Sequence, residues 1–99
     1  RVTPLPKYPA GLRDIAGVVP RALSAGELKR LIYEAGGGLV EQVTLFDLYE
    51  GAQIPPGMRS LAFTITYRHP DRTLTEAEIN AAQARIEAAL SKLGAALRR

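Results

Sequence analysis

Cysteine and tryptophan are absent from the 99-residue chain, and it carries a single histidine and a single methionine. Without cysteine there is no disulfide, no thiolate metal site and no cysteine nucleophile, a usage that fits the cytosol. One histidine, His69, argues against a histidine-built metal centre or a serine–histidine relay within this chain. No apolar run approaches the ~18 residues that a bilayer-spanning helix requires, so no membrane span is expected. Charge of one sign is also scarce: 13 basic against 10 acidic residues leave a net +3. That mild surplus is scattered, with only Lys29–Arg30 and Arg98–Arg99 adjoining, and reads first as a solvated surface rather than a polyanion-binding patch.

What is present fits one small globular domain, given the usual ~100–150 residues per domain. Hydrophobic residues make up 46% and charged residues 23%, which excludes a disordered or collagen-like chain. The equipment for catalysis is thin, so binding is the expected role. The chain opens at Arg1 rather than methionine, and reads as a piece of a longer protein.

Pro4, Pro6 and Pro9 mark residues 1–11 as an extended lead-in, because proline fixes its own φ and disfavours helix in the residue before it. The domain proper is expected over 12–99. Asp14 to Val19, β-branched and closed by Pro20, predicts a first strand. Ser24 followed by Glu27 predicts a capping box, with Leu23 and Leu28 as its hydrophobic staple. Leu28, Leu31, Ile32 and Ala35 then form one apolar stripe, ended by Gly36-Gly37-Gly38. Leu39–Tyr49 predicts a second strand, residues 51–57 a Gly/Pro loop, and Leu61–Arg68 a third strand of clean period 2. Thr75 and Glu78 repeat the capping box with Leu74 and Ile79 as staple, and Ile79, Ala82, Ile86, Leu90 and Leu93 make the second helical stripe. Residues 95–99 fray or add a short edge strand.

The order is β-α-β-β-α, with a final β where residues 95–99 add the edge strand. Two helices with one apolar stripe each must both cover something, and a single antiparallel sheet carrying both on one face is the economical arrangement: an α+β, ferredoxin-like βαββαβ fold with the other sheet face open. On the third strand Leu61, Phe63, Ile65 and Tyr67 should pack under the helices, leaving Ser60, Ala62, Thr64, Thr66 and Arg68 on the open face. The second strand is harder to phase. Asp47 and Tyr49 belong on the open face, since a carboxylate under the helices is costly unless paired. Strict alternation then carries Val43 and Leu45 to the same face and makes Phe46 a core residue, as Phe63 is. On the first strand, either Ile15, Gly17 and Val19 or Ala16 and Val18 are buried. An aromatic, a carboxylate, hydroxyls and small residues on one face suit unstacked nucleobases. The alternative is a face packed on another protein domain, which Val18, Val43 and Leu45 would favour.

Several strings then fall in a familiar order: Tyr8-Pro-Ala, Arg13-Asp-Ile-Ala16, Leu45-Phe-Asp-Leu-Tyr49, Gly51, Ile54-Pro-Pro-Gly57, Ser60-Leu-Ala-Phe63 and Arg72-Thr-Leu-Thr75 with Glu78 and Asn80. Together, over roughly residues 8–99, they resemble the ferredoxin-fold anticodon-binding domain at the C-terminus of bacterial phenylalanyl-tRNA synthetase beta subunits. The resemblance implies a fourth strand at the end of the chain and recognition of the phenylalanine-tRNA anticodon on the open sheet face. The residues it implies for that contact are Ala16, Asp47, Tyr49, Ser60 and Arg98. Asp47 and Ser60 would hydrogen-bond the Watson–Crick edge of a guanine, Tyr49 would stack a base, Ala16 would give room, and Arg98 would hold phosphate or stack. The parent enzyme implied is a cytoplasmic α2β2 ligase that uses ATP and magnesium. Gly36-Gly37-Gly38 sits at a helix end rather than before a helix start, so it is no phosphate loop. The catalysis, ATP and metal are therefore expected in other domains and in the alpha subunit.

Overall fold

Proline, glycine and two capping boxes divide the apolar pattern into seven short elements. A computed structural model of the chain describes residues 7–98. Along it run β1 (Gly11–Pro20), α1 (Ala25–Gly36), a 3-10 turn (Gly37–Leu39), β2 (Val40–Tyr49), β3 (Met58–Tyr67), α2 (Glu76–Lys92) and β4 (Ala96–Arg98). The β-α-β-β-α-β order is the one expected, and the last segment is a strand. Residues 1–6 of the expected lead-in lie outside the described residues, as does Arg99, while Gly11 already belongs to β1. Both β1 and β3 begin three residues earlier than their compositions predict. The two pair along their whole lengths, from Gly11 opposite Tyr67 to Pro20 opposite Met58, so the ladder recruits ends that local propensity leaves undecided.

The sheet order is β2-β3-β1-β4, with every neighbouring pair antiparallel. Each helix therefore crosses over one strand, α1 over β3 and α2 over β1, as two interlocked split βαβ units do. Both helices contribute to one core with the same sheet face: Leu28 and Ile32 from α1, Ile79, Ala82, Ile86 and Leu90 from α2, and Ile15, Val19, Val43, Leu61, Phe63, Ile65 and Tyr67 from the strands. On β1 this settles the open question, for Ile15, Gly17 and Val19 are buried.

Both capping boxes form. The Glu27 amide donates to Ser24 Oγ at 3.0 Å and the Glu78 amide to Thr75 Oγ1 at 3.1 Å, with each glutamate accepting in return from its cap residue's backbone N–H. Arg72 also donates two hydrogen bonds of 2.6 Å to Glu78. That pair, helped by the Thr75 amide, holds the Glu78 carboxyl down at about 2. No basic residue stands in the last turn of α1. Its negative end is met instead from α2, where Arg85 donates to the Ala35 and Gly36 carbonyls at 3.0 and 3.2 Å. Leu93 departs from the expected stripe and is 43% exposed. It caps α2 rather than continuing it, and Gly94, at φ +95°, turns the chain away in a conformation that glycine adopts freely.

Candidate nucleic-acid interface

Side chains alternate across a strand, and paired residues on antiparallel neighbours share a face. On β3, with Leu61, Phe63, Ile65 and Tyr67 in the core, Ser60, Ala62, Thr64 and Thr66 belong to the face away from the helices. On β1 the matching residues are Leu12, Asp14, Ala16 and Val18.

β2 does not keep strict alternation, and this corrects three expectations. Val43 pairs with Ile65 and Leu45 with Phe63, so both lie on the helix side, Val43 at 5% exposure. The register then shifts: Asp47 pairs with Ala62, Leu48 with Leu61 and Tyr49 with Ser60. Phe46 is the extra residue of a β-bulge, and it is 56% exposed rather than a core residue. One inserted residue thus lets apolar Val43 and Leu45 enter the core while Asp47 and Tyr49, of the same parity, face the other way. The signal was in the sequence, where the apolar positions of β2 change phase between Leu45 and Leu48.

The pairing brings the five candidate residues into two adjacent rows. Arg98, Ala16, Ala62 and Asp47 form one row across all four strands; Ala96, Val18, Ser60 and Tyr49 form the next. Ala62 is buried and Ala16 half-buried, so the centre of the first row is a shallow floor between a guanidinium at one edge and a carboxylate at the other. Tyr49 stands 47% exposed at the end of the second row. Ser60 departs from the exposed position expected of it, with only 3% exposure. Arg98 reaches diagonally over β1, and its Nη2 donates to Ser60 Oγ at 2.8 Å. A ligand on this face meets Arg98 before it meets the serine.

A third row continues the polar floor. Asp14 accepts a 2.9 Å hydrogen bond from the Thr64 hydroxyl, and Thr44 stands beside Thr64 on β2. This Asp14–Thr64 pair was not among the candidates, since nothing local to either residue reveals a partner 50 positions away. Positive charge on the face is sparse. Arg68 is occupied at the far end of β3, donating to the Tyr8 carbonyl and lying 2.9 Å from Glu41, and Arg21 pairs with Glu50 at 2.9 Å. A face built of small residues, hydroxyls, the carboxylates of Asp14 and Asp47 and the exposed ring of Tyr49 can stack and hydrogen-bond a planar polar ring, and it has little with which to hold a phosphate chain.

Residues 6–98 match the family model described as the ferredoxin-fold anticodon binding domain. The chain belongs to this family. It is 54% identical over 99 residues to the phenylalanine–tRNA ligase beta subunit of Moorella thermoacetica, covering 99% of this chain and 12% of that protein. The corresponding subunit of Geobacillus kaustophilus is 48% identical over the same length and coverage. That of Anaeromyxobacter dehalogenans is 52% identical over 96 residues, 96% of this chain and 12% of its own. The chain thus spans about an eighth of the length of these relatives. In its structure both helices lie on one sheet face, and Ala16, Asp47, Tyr49 and Arg98 lie on the other, with Ser60 hydrogen-bonded to the arginine. Among the described residues no group of three or more His, Cys, Asp or Glu gathers in a way that would hold a metal ion. No described helix is long and apolar enough to cross a membrane.

Proposed function

We propose that the open sheet face binds the anticodon of phenylalanine tRNA, and that the chain is the anticodon-recognising part of a phenylalanine–tRNA ligase beta subunit. The observation that carries the reading is the meeting of Asp47 and Tyr49 with Ala16 and Arg98 on one shallow floor, in a member of the anticodon-binding family. Tyr49 stacks one base. Asp47 accepts from the N–H groups of a guanine edge, and Ala16 with Ala62 lets that base approach the sheet. Arg98 covers the base or a neighbouring phosphate, and Ser60 acts mainly by holding the guanidinium in place. Discrimination rests on stacking and base edges, so affinity should fall only gently with salt.

In this reading the whole enzyme joins phenylalanine to its tRNA in the cytoplasm, as an α2β2 assembly with the alpha subunit. ATP and magnesium are used elsewhere in that assembly, and the described residues offer no cluster that fits the metal. Packing of this face on another protein domain is the competing reading. It loses two of its three supports, because Val43 is in the core and Leu45 is packed against it.

The test is binding of the phenylalanine-tRNA anticodon stem-loop to single variants. Tyr49→Ala should weaken it by about 1–3 kcal/mol, or about 5- to 150-fold, and Asp47→Ala by a comparable factor. Both should leave the thermal melt unchanged, since neither side chain is part of the core. Unchanged affinity in both variants would overturn the reading.

A further inference from the structure

Gly51 follows β2 by two residues and occupies an exposed position in the loop of residues 51–57. It is not among the glycines of positive φ, which are Gly37, Gly57 and Gly94. Its backbone conformation therefore does not call for glycine, and alanine would adopt it without strain. Space is a different matter. A Cβ built on Gly51 would overlap Oη and Cζ of Tyr49 and lie 3.0 Å from its Cε2. The Tyr49 ring thus leans past the end of its own strand and runs over the position that a side chain at 51 would fill. The hydroxyl end of the ring lies against bare backbone, while 47% of the residue stays exposed.

We propose that Gly51 is a positioning residue for Tyr49: the missing side chain sets the tilt at which the tyrosine presents its ring to a base on the open face. This rests on the anticodon reading given above. A methyl group at 51 lifts the ring away from the strand or turns it to another rotamer. Stacking depends on the angle and height of the ring plane relative to the base, so a lifted ring loses part of its contact even though its chemistry is unchanged.

The experiment has an RNA-free arm and an RNA arm, both in the 99-residue chain. In the first, the Gly51 Hα resonances are assigned by NMR in the wild-type chain and in Tyr49→Ala. A ring lying on Gly51 shifts them by its ring current, and removing the ring should return them to ordinary glycine values. Resonances that are ordinary in the wild type, or that do not respond to Tyr49→Ala, would refute the contact. In the second arm, the anticodon stem-loop is titrated into Gly51→Ala, Tyr49→Ala and the double variant. Gly51→Ala should weaken binding about fivefold with no loss of thermal stability, because alanine at an unstrained position stiffens the unfolded chain and tends to stabilise. In the Tyr49→Ala background the same change should have no effect on affinity. If Tyr49→Ala weakens binding and Gly51→Ala does not, or if the two losses add, the positioning role is wrong and the anticodon reading stands. If neither Tyr49→Ala nor Asp47→Ala changes affinity, the anticodon reading fails and this inference fails with it.

Discussion

Tyr67 and Tyr49 sit on adjacent strands of one sheet and do opposite work. Tyr67 is fully buried under the helices, and its hydroxyl donates a 2.5 Å hydrogen bond to Gln83 of α2. Burial pushes its phenol up to about 12. Tyr49 stands 47% exposed on the other face, in a row with Ser60 and Val18. The same side chain is a core body with one satisfied polar tip in the first case and a platform in the second. The face a residue occupies decides its role, and on β2 a single extra residue decides the face.

The largest expected effect breaks the buried half of that comparison. Tyr67→Ala should cost about 3–5 kcal/mol, the scale for truncating a buried aromatic, and should be read from urea denaturation at neutral pH. Any loss of stem-loop affinity in this variant should track the unfolded fraction and disappear where the chain is still folded. Tyr49→Ala should show the reverse, with affinity lost and stability kept. Equal stability losses in the two would mean that the faces are not separate in function.

A smaller effect probes what keeps the faces apart. Without Phe46, Leu45 opposite Phe63 and Asp47 opposite Ala62 become neighbours in unbroken alternation, so deleting Phe46 should preserve the fold. The stability change is expected to stay within about 1 kcal/mol, since the lost side chain is largely exposed. Stem-loop binding should nevertheless weaken several-fold, because the bulge bends β2 and aims Asp47 and Tyr49. Collapse of the fold on deleting Phe46 would show that the bulge is needed for the core rather than for the face. Circular dichroism and stem-loop titration of the deletion variant distinguish the two.

These contrasts also explain which parts of the architecture were legible before the structure. The two capping boxes were, because Ser24–Glu27 and Thr75–Glu78 act within one helical turn and need no distant partner. The faces of β3 were, because Leu61, Phe63, Ile65 and Tyr67 alternate without interruption. β2 was not, since a bulge at Phe46 inverts parity in mid-strand and strict alternation then sends Val43 and Leu45 to the wrong side. The early starts of β1 and β3 were invisible because each is stabilised by the other across 38 to 56 positions. Leu93 failed the helical count because α2 stops one residue short of it. The site was half legible. Asp47 could be phased from the cost of burying a carboxylate, and Tyr49 followed it, whereas the burial of Ser60 depends on an arginine 38 residues later. The closeness of Tyr49 to Gly51 depends on the lean of a ring, which periodicity does not encode.

The finest test of the comparison is chemical and uses only the buried tyrosine. In the folded chain the Tyr67 phenol keeps its proton up to about 12, whereas unfolding exposes it to solvent, where it ionises near its ordinary value of 10.0. A group whose native pKa is raised contributes stability that is complete below the unfolded value and is lost as pH climbs towards the native one. Between pH 10 and 12 the unfolded chain therefore binds fewer protons at this position, and the urea midpoint should fall as pH rises. Lysines, arginines and the other tyrosines titrate in the same range, so the informative quantity is the difference between the wild type and Tyr67→Phe. Tyr67→Phe should start less stable at pH 8, because Gln83 loses its donor, and should have the shallower slope above pH 10. Parallel slopes in the two proteins would mean that Tyr67 ionises as readily in the folded chain as in the unfolded one, and the sharp division between the two tyrosines would have to be given up.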